Sequence, residues 1–338
     1  MINNIYQKVK EIIEPVYLVG GCLRDKLLNI TPKDYDFTTP VTPDEIEQRI
    51  KQSGRRAYLT GKRFGTLGLK IDGQFVEITT FRTEKYISGS RKPEVDFVKD
   101  ITADLSRRDF TINAIAFRNN KYIDPFKGID DINNKIIRCV GKANERFKED
   151  PLRMLRVARF ASQLDFTIEE NTEKQTKQFA HKILEVSRER WVLEMDKLLM
   201  TSVPSIGLDF LARTKLLNFM FPELSLQVNY NQNSPYHDLE LWEHTKIVVD
   251  NTPADINIRW ASLLHDIAKP FVRTDKENRS NYIKHDLLGA EIVEKIARYL
   301  KWSNDRRECV KNLVLNHLKD DSPLRQADFI GKKKNKGE

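Results

Sequence analysis

The chain has 338 residues, 40% hydrophobic and 31% charged, which is long enough for two or three domains with their own cores. Its 57 basic and 49 acidic residues leave a net charge of +8, which favours a polyanionic partner without identifying one. No apolar run approaches the roughly 20 residues of a membrane-spanning helix, and the amino-terminal residues lack the pattern of a signal peptide. Three scattered cysteines, Cys22, Cys139 and Cys309, suggest neither a disulfide framework nor a CxxC metal site, so we expect a reducing, cytoplasmic setting.

Helix and strand patterns alternate over about the first 140 residues. In chain order they are a helix over 5–13 ending near Pro15, a strand over 16–19, a helix beginning over 23–28, a strand over 34–39, a helix over 43–53 and strands over 65–71 and 74–82. Asp72-Gly73 is a hairpin turn signal, and the Gly, Ser and basic residues of 86–94 indicate a loop. Helical patterns then continue, interrupted at Pro204, Pro222, Pro235 and Pro253. We therefore predict an α+β chain, with a mixed β-sheet domain followed by an all-helical remainder.

A glycine pair, Gly20-Gly21, follows the first predicted strand, and Arg24 stands one helical turn later. Backbone N–H groups at such a turn, the helix dipole and an arginine can together hold phosphate oxygens. A glycine pair alone is more often an ordinary turn, so the prediction of phosphate binding depends on the residues that follow.

Two aspartates, Asp34 and Asp36, are separated by one residue in the next strand, so their side chains share a face and repel each other. Either that face is simply solvated or a cation lies between the two carboxylates. Glu77, on a later strand, is a candidate third carboxylate. Oxygen ligands beside a phosphate cradle are what a two-Mg²⁺ site for nucleotidyl transfer requires, and we favour that interpretation.

Five segments, taken in order, resemble the signatures of the polymerase-β-like nucleotidyltransferases, in particular the class II (bacterial-type) tRNA CCA-adding enzymes and bacterial poly(A) polymerases. They are GGCLRD with KDYDFTT at 20–25 and 33–39, RRDFTINA at 107–114, DPFKGIDD at 124–131, EDPLRMLR at 149–156 and SRERW at 187–191. The resemblance covers about residues 16–222. It implies a palm-like catalytic domain followed by a helical neck and body.

The resemblance also implies roles for single residues in binding the incoming nucleotide. Asp109 would accept hydrogen bonds from the ribose, Arg108 would steady the site, and Asn113 belongs to the same motif but packs it against the sheet. Asp150 and Arg153, three apart on a predicted helix, would read the Watson–Crick edge of cytosine or adenine; an ordinary ion pair is the alternative.

Further basic residues extend this nucleotide-binding set. Arg156 and Arg159 continue the helix at spacings of three and would face the triphosphate, the RNA or solvent, while the role of Arg190 stays open. Residues 82–93 resemble the basic, proline-containing loop of enzymes that complete the terminal A, with Ser-Gly-Ser in place of the usual aspartates.

The last third of the chain resembles an HD domain, through WEHT at 242–245, LHDIAKP at 264–270 and HDLLGA at 285–290. The resemblance implies a divalent metal held by a set of His and Asp ligands, namely His244, His265, Asp266 and His285. The motifs identify no distal aspartate; Asp321 and Asp328 follow His317 without a clear pattern. Such a domain either hydrolyses phosphoesters or serves only as a scaffold, and the sequence leaves both open.

We therefore expect a nucleotidyltransferase domain at 1–138, a helical neck and body at 139–225, an HD domain at 226–330 and a basic flexible tail at 331–338. The expected activity is template-independent addition of CCA to tRNA from CTP and ATP with two Mg²⁺ ions, through contacts to the tRNA 3′ end and acceptor arm and away from membranes. Two alternatives stay open: a poly(A) polymerase or A-adding enzyme, and an HD metal-dependent phosphohydrolase with a non-catalytic amino-terminal domain. Monomer and homodimer are equally compatible with the sequence.

Overall fold

A computed structural model describes residues 2–32, 34–85, 94–233, 239–277 and 279–331. It divides into two compact units, Met1–Glu149 and Asp150–Glu338. Within these described ranges no helix combines the length and apolar character needed to cross a membrane. Most of the predicted loop at 86–94, the predicted interruption at Pro235 and the basic tail after Gly331 lie outside the described residues.

The first unit alternates helices and strands as the sequence pattern predicts. Its elements are α1 (Ile2–Ile12), β1 (Tyr17–Val19), α2 (Gly21–Leu27), β2 (Tyr35–Thr39), α3 (Pro43–Gln52), β3 (Thr66–Ile71), β4 (Gln74–Thr80), β5 (Arg82–Lys85), β6 (Glu94–Phe97), α4 (Ile101–Ser106), β7 (Ala116–Arg118), β8 (Lys121–Ile123), α5 (Gly128–Asn133), β9 (Ile136–Ile137) and α6 (Ala143–Glu149). Short 3₁₀ turns lie at Lys62–Phe64 and Thr111–Asn113.

Among the described residues of this unit, six strands form one mixed sheet in the order β3-β4-β2-β1-β7-β8. β2 and β4 run parallel, and the other neighbouring strands are antiparallel. Tyr35 and Phe37 of β2 are buried in the core, so Asp36 between them projects from the opposite face of the sheet. The alternation of apolar and polar residues in β2 therefore decides which face carries the carboxylate.

The predicted hairpin between β3 and β4 is confirmed. Asp72 and Gly73 form its two-residue turn with φ angles of 51° and 79°, and Ile71 pairs with Gln74 across it. Positive φ at both turn positions matches the right-handed twist of the two strands, which is why Asp-Gly is favoured there. The hairpin aligns β4 so that its fourth residue, Glu77, lies opposite Gly68 of β3.

The second unit is largely helical. Its elements are α7 (Leu152–Leu164), β10 (Thr167–Ile168), α8 (Glu170–Phe179), α9 (Arg188–Leu199), α10 (Ser205–Arg213), α11 (Leu216–Met220), α12 (Pro222–Ser225), α13 (Leu241–Asn251), α14 (Ile256–Leu264), α15 (Lys269–Val272), β11 (Thr274–Lys276), β12 (Arg279–Asn281), α16 (His285–Tyr299), α17 (Asn304–Leu315) and α18 (Arg325–Gly331). A 3₁₀ segment lies at Ala180–Glu185. The prediction of an all-helical remainder is therefore correct in outline but misses β10 and the small β11–β12 ribbon, because strands of two or three residues leave no usable period.

Fully buried tryptophans lie at the centre of the second unit. The Trp260 ring contacts Trp302 edge to face, with ring centroids 4.9 Å apart, and the Trp260 indole N–H donates to Asp196 of α9 at 2.7 Å. Arg306 of α17 donates to the same carboxylate at 2.7 Å. Because a buried indole N–H needs a partner, this contact joins α9, α14 and α17 with defined geometry.

Candidate functional site

Three predicted carboxylates lie on or beside the central strands of the sheet. Asp36 of β2 is directly paired with Glu77 of β4, so the two side chains project side by side from the same face. Asp34 is exposed and lies outside the strand, because β2 begins at the next residue, Tyr35. The structure thus brings Asp36 and Glu77 together, with Asp34 two residues away along the chain.

The electrostatics of this face favour a bound cation. Burial raises the pKa of Asp36, Asp34 adds to the rise, and the Arg108 guanidinium opposes it. Burial also raises the pKa of Glu77, and the charges of Asp36 and Asp34 raise it further. A divalent ion would relieve the repulsion between these carboxylates. Carboxylate oxygens are also suitable ligands for such an ion, so the residues fit Mg²⁺.

Gly20 forms the turn between β1 and α2 directly beside Asp36. Its φ of 75° and ψ of −147° lie in a region that essentially only glycine adopts. A Cβ built at this position would lie 3.3 Å from Asp36 Oδ2 and 3.1 Å from Arg108 Nη1. The absence of a side chain therefore lets the backbone lie close to both a carboxylate and a guanidinium, where a Cβ would be crowded. Gly21 has no comparable crowding, since its nearest neighbour would be Arg24 Nη2 at 3.5 Å.

Arg24 is buried beneath this turn and is already engaged. Its Nη1 donates to Asn113 Oδ1 at 2.8 Å, and its Nη2 donates to Asp25 Oδ1 at 2.6 Å. The Asn113 amide in turn donates to Asp109 Oδ1 at 3.0 Å. Arg24, Asn113 and Asp109 thus form one hydrogen-bonded chain that holds α2 against the RRDFTINA segment.

The base-reading pair predicted at Asp150 and Arg153 is arranged differently from the sequence expectation. Asp150 precedes α7, and its Oδ1 accepts the backbone N–H of Leu152 at 3.1 Å. The placement of both residues on one helix is wrong for Asp150, because α7 begins only after Pro151, whose missing N–H suits the start of a helix. Arg153 is buried on the first turn of α7.

Arg190 of α9 is the clearest partner of Asp150. Its Nη2 lies 2.7 Å from Asp150 Oδ2 and its Nη1 lies 3.2 Å from Oδ1, the two-pronged geometry that only a guanidinium offers. The sequence left the role of Arg190 open, and the structure joins the EDPLRMLR and SRERW segments through this ion pair. Forty residues separate the partners in the sequence, so no local spacing could have revealed it.

Arg156 and Arg159 both face Glu194 of α9. The Arg159 Nε donates to Glu194 Oε2 at 2.6 Å, its Nη1 donates to Gln163 at 2.8 Å, and its guanidinium lies 3.9 Å from the centre of the Phe160 ring. Arg156 Nη1 lies 3.6 Å from Glu194 Oε1, and its side chain is partly exposed. The basic stripe is therefore buried at Arg159 and partly open at Arg156.

A second cluster of His and Asp side chains lies among the helices of the HD-like segment. The Nε2 atoms of His244 and His265 are 3.1 Å apart, and those of His285 and His317 are 3.2 Å apart. The Nδ1 atoms of three of these rings face backbone carbonyls at 2.6–2.7 Å: His265 faces Ser262, His285 faces Tyr282 and His317 faces Val314. A carbonyl oxygen can only accept a hydrogen bond, so each of these Nδ1 atoms carries a hydrogen. The Nε2 of each ring faces the cluster and is the atom that could bind a metal, the arrangement that metal-bound histidines adopt.

Asp266 lies between the two pairs of rings. Its Oδ2 is 3.1 Å from His265 Nε2 and 3.3 Å from His244 Nε2, while its Oδ1 is 3.3 Å from His285 Nε2. Burial alone would raise the pKa of Asp266. The electrostatic effects of His265 and Lys269 beside the carboxylate outweigh that of burial, so its pKa lies well below its usual range. Two donor sets, His244 with His265 and His285 with His317, thus share one ionised carboxylate and fit two divalent ions.

The structure adds two residues that the sequence motifs did not identify. Asp328 Oδ1 lies 3.3 Å from His244 Nε2, and His317 completes the second donor set. Asp328 is therefore the distal aspartate, and Asp321 is exposed. A signal was present: Asp328 is buried in α18 together with Ala327 and Gly331, and the buried Leu324 lies just before the helix, so a carboxylate stands among otherwise apolar buried positions.

Three family models match the chain. They are the Poly A polymerase head domain over residues 16–138, the probable RNA and SrmB-binding site of polymerase A over residues 165–227, and the HD domain over residues 236–333. All three follow one another along a single chain.

Curated relatives and a solved structure extend this likeness. A CCA-adding enzyme of Lactiplantibacillus plantarum is 43% identical over 224 residues, which are 64% of this chain and 54% of that protein, so the chain spans about half of its length. A CCA-adding enzyme of Staphylococcus epidermidis is 36% identical over 341 residues, covering 94% of this chain and 83% of the relative. The crystal structure of the Bacillus stearothermophilus CCA-adding enzyme in complex with CTP matches with a TM-score of 0.65 and 27% identity, over 96% of this chain and 76% of that chain. Since the identity to the staphylococcal protein extends over nearly the whole sequence, this chain belongs to the family of CCA-adding enzymes, which are nucleotidyltransferases, and carries an HD domain in addition.

Proposed function

We propose that this protein adds C, C and A to the 3′ end of tRNA from CTP and ATP without a nucleic-acid template. The observation that carries the proposal is the direct pairing of Asp36 and Glu77 beside the Gly20 turn, in a chain with CCA-adding relatives. We assign catalysis to the domain predicted at 1–138 and nucleotide and RNA recognition to the helical residues predicted at 139–225. Since tRNA is the proposed substrate, a cytoplasmic setting remains part of the proposal.

The carboxylates would act as ligands of Mg²⁺. Asp34, Asp36 and Glu77 supply the hard oxygen donors that this ion prefers, and they are close enough in the chain and the sheet to share it. Mg²⁺ ions held by these carboxylates, two in the proposed mechanism, would supply activation of the attacking 3′-hydroxyl and charge neutralisation of the departing pyrophosphate. Arg108, whose guanidinium lies near Asp36, adds positive charge where the triphosphate would lie.

The residues around the turn would orient the nucleotide. Gly20 and Gly21 leave room for phosphate oxygens to approach the backbone, and Asp109 accepts hydrogen bonds from the ribose. Arg24 and Asn113 hold Asp109 and the turn in register through their own hydrogen bonds. Positioning of this kind is the main contribution that a protein makes to nucleotidyl transfer.

Base choice would depend on Asp150 and Arg153. The aspartate accepts from the exocyclic amine of cytosine or adenine, and the arginine donates to the ring nitrogen. Guanine and uracil present an acceptor or a ring N–H in those places, so they are rejected. Arg190 orients the Asp150 carboxylate by its two-pronged contact. Arg156, steadied with Arg159 by Glu194, would approach the triphosphate or the RNA.

Incorporation into a tRNA transcript that lacks CCA tests the proposal. The protein is incubated with this RNA and Mg²⁺, with CTP alone, ATP alone or both, and the products are resolved at single-nucleotide length. Two added residues with CTP and three with both nucleotides are expected. Long A tracts from ATP alone would instead indicate a poly(A) polymerase, and addition of a single A only to RNA that already ends in CC would indicate an A-adding enzyme.

The HD segment favours a second activity, metal-dependent hydrolysis of phosphoesters. The observation behind it is the pair of donor sets sharing Asp266, because two adjacent ions can activate a water and stabilise the leaving oxygen. Cleavage of p-nitrophenyl phosphate and bis(p-nitrophenyl) phosphate by the Mn²⁺- or Co²⁺-loaded protein tests it. Activity lost in His265→Ala and kept in Asp36→Ala supports hydrolysis at this site, whereas no cleavage by the loaded wild type would leave the domain a scaffold.

A further inference from the structure

Asp104 is a fully buried carboxylate on α4 whose two oxygens have different partners. Oδ1 accepts from Arg107 Nη2 at 2.8 Å and from the backbone N–H of Arg82 at 3.3 Å. Oδ2 accepts from the Thr38 hydroxyl at 3.3 Å and lies 3.5 Å from Arg108 Nη2. Burying a charge destabilises a fold unless its partners compensate, and the partners of Asp104 include two arginines, Arg107 and Arg108.

The two arginines around Asp104 are held to different degrees. Arg107 is anchored by Asp104 on one side and by Glu84 Oε1, at 2.8 Å, on the other. Arg108 donates from Nη1 to the carbonyl of Asn113 at 3.3 Å, and within the described residues its buried Nε has no hydrogen-bond partner. Arg108 therefore keeps donor capacity for a ligand, and its orientation depends on few contacts.

The Nη1 side of Arg108 faces the Gly20 turn of the proposed nucleotide site. The position that a Cβ on Gly20 would take lies 3.1 Å from Arg108 Nη1 and 3.3 Å from Asp36 Oδ2. The same guanidinium thus lies near Asp36 through Nη1 and near Asp104 through Nη2. Thr38, two residues after Asp36 in β2, ties Asp104 to the strand that carries the catalytic carboxylate.

We propose that Asp104 is a positioning residue, which holds the Arg108 guanidinium at the Gly20 turn so that it can bind the triphosphate of CTP and ATP alike. The inference rests on the proposed function for the identity of the ligand. It predicts an effect on both nucleotides equally, because the contact is to phosphate and not to base.

Nucleotide binding by the full chain, measured by isothermal titration calorimetry with CTP and with ATP in Mg²⁺, tests the role. Asp104→Asn keeps the size and removes the charge, and we expect the Kd for both nucleotides to rise about tenfold. A merely structural role would lower the number of sites per chain as some molecules unfold and leave Kd unchanged. A rise for one nucleotide only, or an unchanged Kd in the folded variant, would overturn the proposal.

Glu47→Gln is the control. Glu47 is a half-buried carboxylate of the first unit that accepts from Lys62 at 2.6 Å and also pairs with Lys51, outside every signature segment. The variant should leave both Kd values within about twofold of the wild type. If Glu47→Gln raises them as much as Asp104→Asn, general damage explains the effect and the proposal fails.

Coupling to Arg108 is measured with a double variant. Because Asp104 acts through Arg108, Asp104→Asn combined with Arg108→Ala should bind no more than about twofold more weakly than Arg108→Ala alone. Independent, multiplicative losses would contradict the inference. If Asp104→Asn does not fold, Thr38→Val replaces it as the test, because this substitution keeps the side-chain volume and removes one donor to Asp104 Oδ2. It should raise the Kd for both nucleotides by about threefold. Unchanged Kd values in Thr38→Val would then overturn the proposal.

The same titrations separate this inference from the proposed function. Wild-type protein that binds CTP and ATP but adds no nucleotide to CCA-less tRNA contradicts the proposed function and leaves the role of Asp104 to be judged by its Kd values. Wild-type protein that binds neither nucleotide contradicts both.

Discussion

Asp36 and Glu77 occupy directly paired positions on the parallel strands β2 and β4, with their carboxylates on the same face of the sheet. Burial raises the pKa of each carboxyl, and the negative charge of Asp36 raises that of Glu77 further. Two carboxylates whose charges oppose each other on one face of a sheet are a suitable pair of ligands for a cation. The pairing is thus the structural basis of the proposed Mg²⁺ site.

Neutralising Asp36 or Glu77 should separate the effect of the carboxylates on nucleotide addition from their effect on thermal stability. We expect Asp36→Asn to reduce nucleotide addition by about a thousandfold, as the loss of a central charge-stabilising group does. In EDTA, by contrast, Glu77→Gln should raise the thermal midpoint slightly because repulsion is relieved. Mg²⁺ should stabilise the wild type more than either variant. The exposed turn residue Asp72, paired with Lys8, is the control, since Asp72→Asn should alter none of these values.

The two glycines of the first turn should respond differently to the same substitution. Gly20→Ala forces a Cβ into a glycine-only conformation and towards Asp36 and Arg108, so we expect a loss of about 1–3 kcal/mol of stability and weaker CTP binding. Gly21→Ala meets only ordinary contacts and should change little. Urea unfolding and calorimetry of the two variants check this, and equal effects would refute the assigned crowding.

The HD cluster makes a prediction about metal stoichiometry. Asp266 is common to both donor sets, whereas His317 belongs to one of them. We therefore expect mass spectrometric metal analysis to find two transition-metal ions in the loaded wild type, one in His317→Ala and neither retained tightly in Asp266→Asn. His181 lies outside both sets, so His181→Ala should keep the full complement. Loss of both ions from His317→Ala would contradict two separate donor sets.

His317 should make the metal-free protein sensitive to acid. Burial lowers the pKa of its imidazole from 6.5 to about 4, and the neighbouring His265 contributes to that shift. Between these pH values the unfolded chain takes up the proton and the folded chain does not, so the free energy of unfolding falls as the pH falls. In EDTA, urea unfolding at pH 7, 6 and 5 should therefore show a steeper decline for the wild type than for His317→Asn. Parallel declines would disprove the contribution.

Base selection should weaken when Asp150 loses its carboxylate. We expect Asp150→Ala to reduce the preference for CTP over UTP, as a ratio of kcat/KM, by about tenfold or more, because the proposed acceptor for the exocyclic amine is gone. Arg190→Ala should have a smaller effect in the same direction, since Arg190 only orients that carboxylate. Asp209→Ala, which breaks an ion pair with the buried Lys246 in the same unit, serves as control. An unchanged ratio in Asp150→Ala would exclude it from base selection.

Local patterns in the sequence were reliable wherever neighbours in the chain decide the outcome. The Asp72-Gly73 turn needs two positive φ angles and was predicted correctly. The strand that carries Asp36 was also predicted, but it begins at Tyr35, so the shared face expected for Asp34 and Asp36 stays a prediction. The helix expected through Asp150 was wrong by a few residues, because Pro151 starts a new helix there. The short ribbon of β11 and β12 was missed because its strands are too brief to carry a pattern.

Contacts between distant residues were decided only in the folded chain. No local pattern around Asp328 or Arg190 indicates its partner. In the structure Asp328 lies beside His244, and Arg190 forms an ion pair with Asp150, forty residues earlier in the sequence. The motifs by themselves determined the family, the α+β architecture and the catalytic candidates, because those follow from residue types at fixed spacings. Which oxygen faces which guanidinium, as at Asp104 and Arg108, depends on the packing of α4 against β2, and packing is a property of the tertiary structure alone.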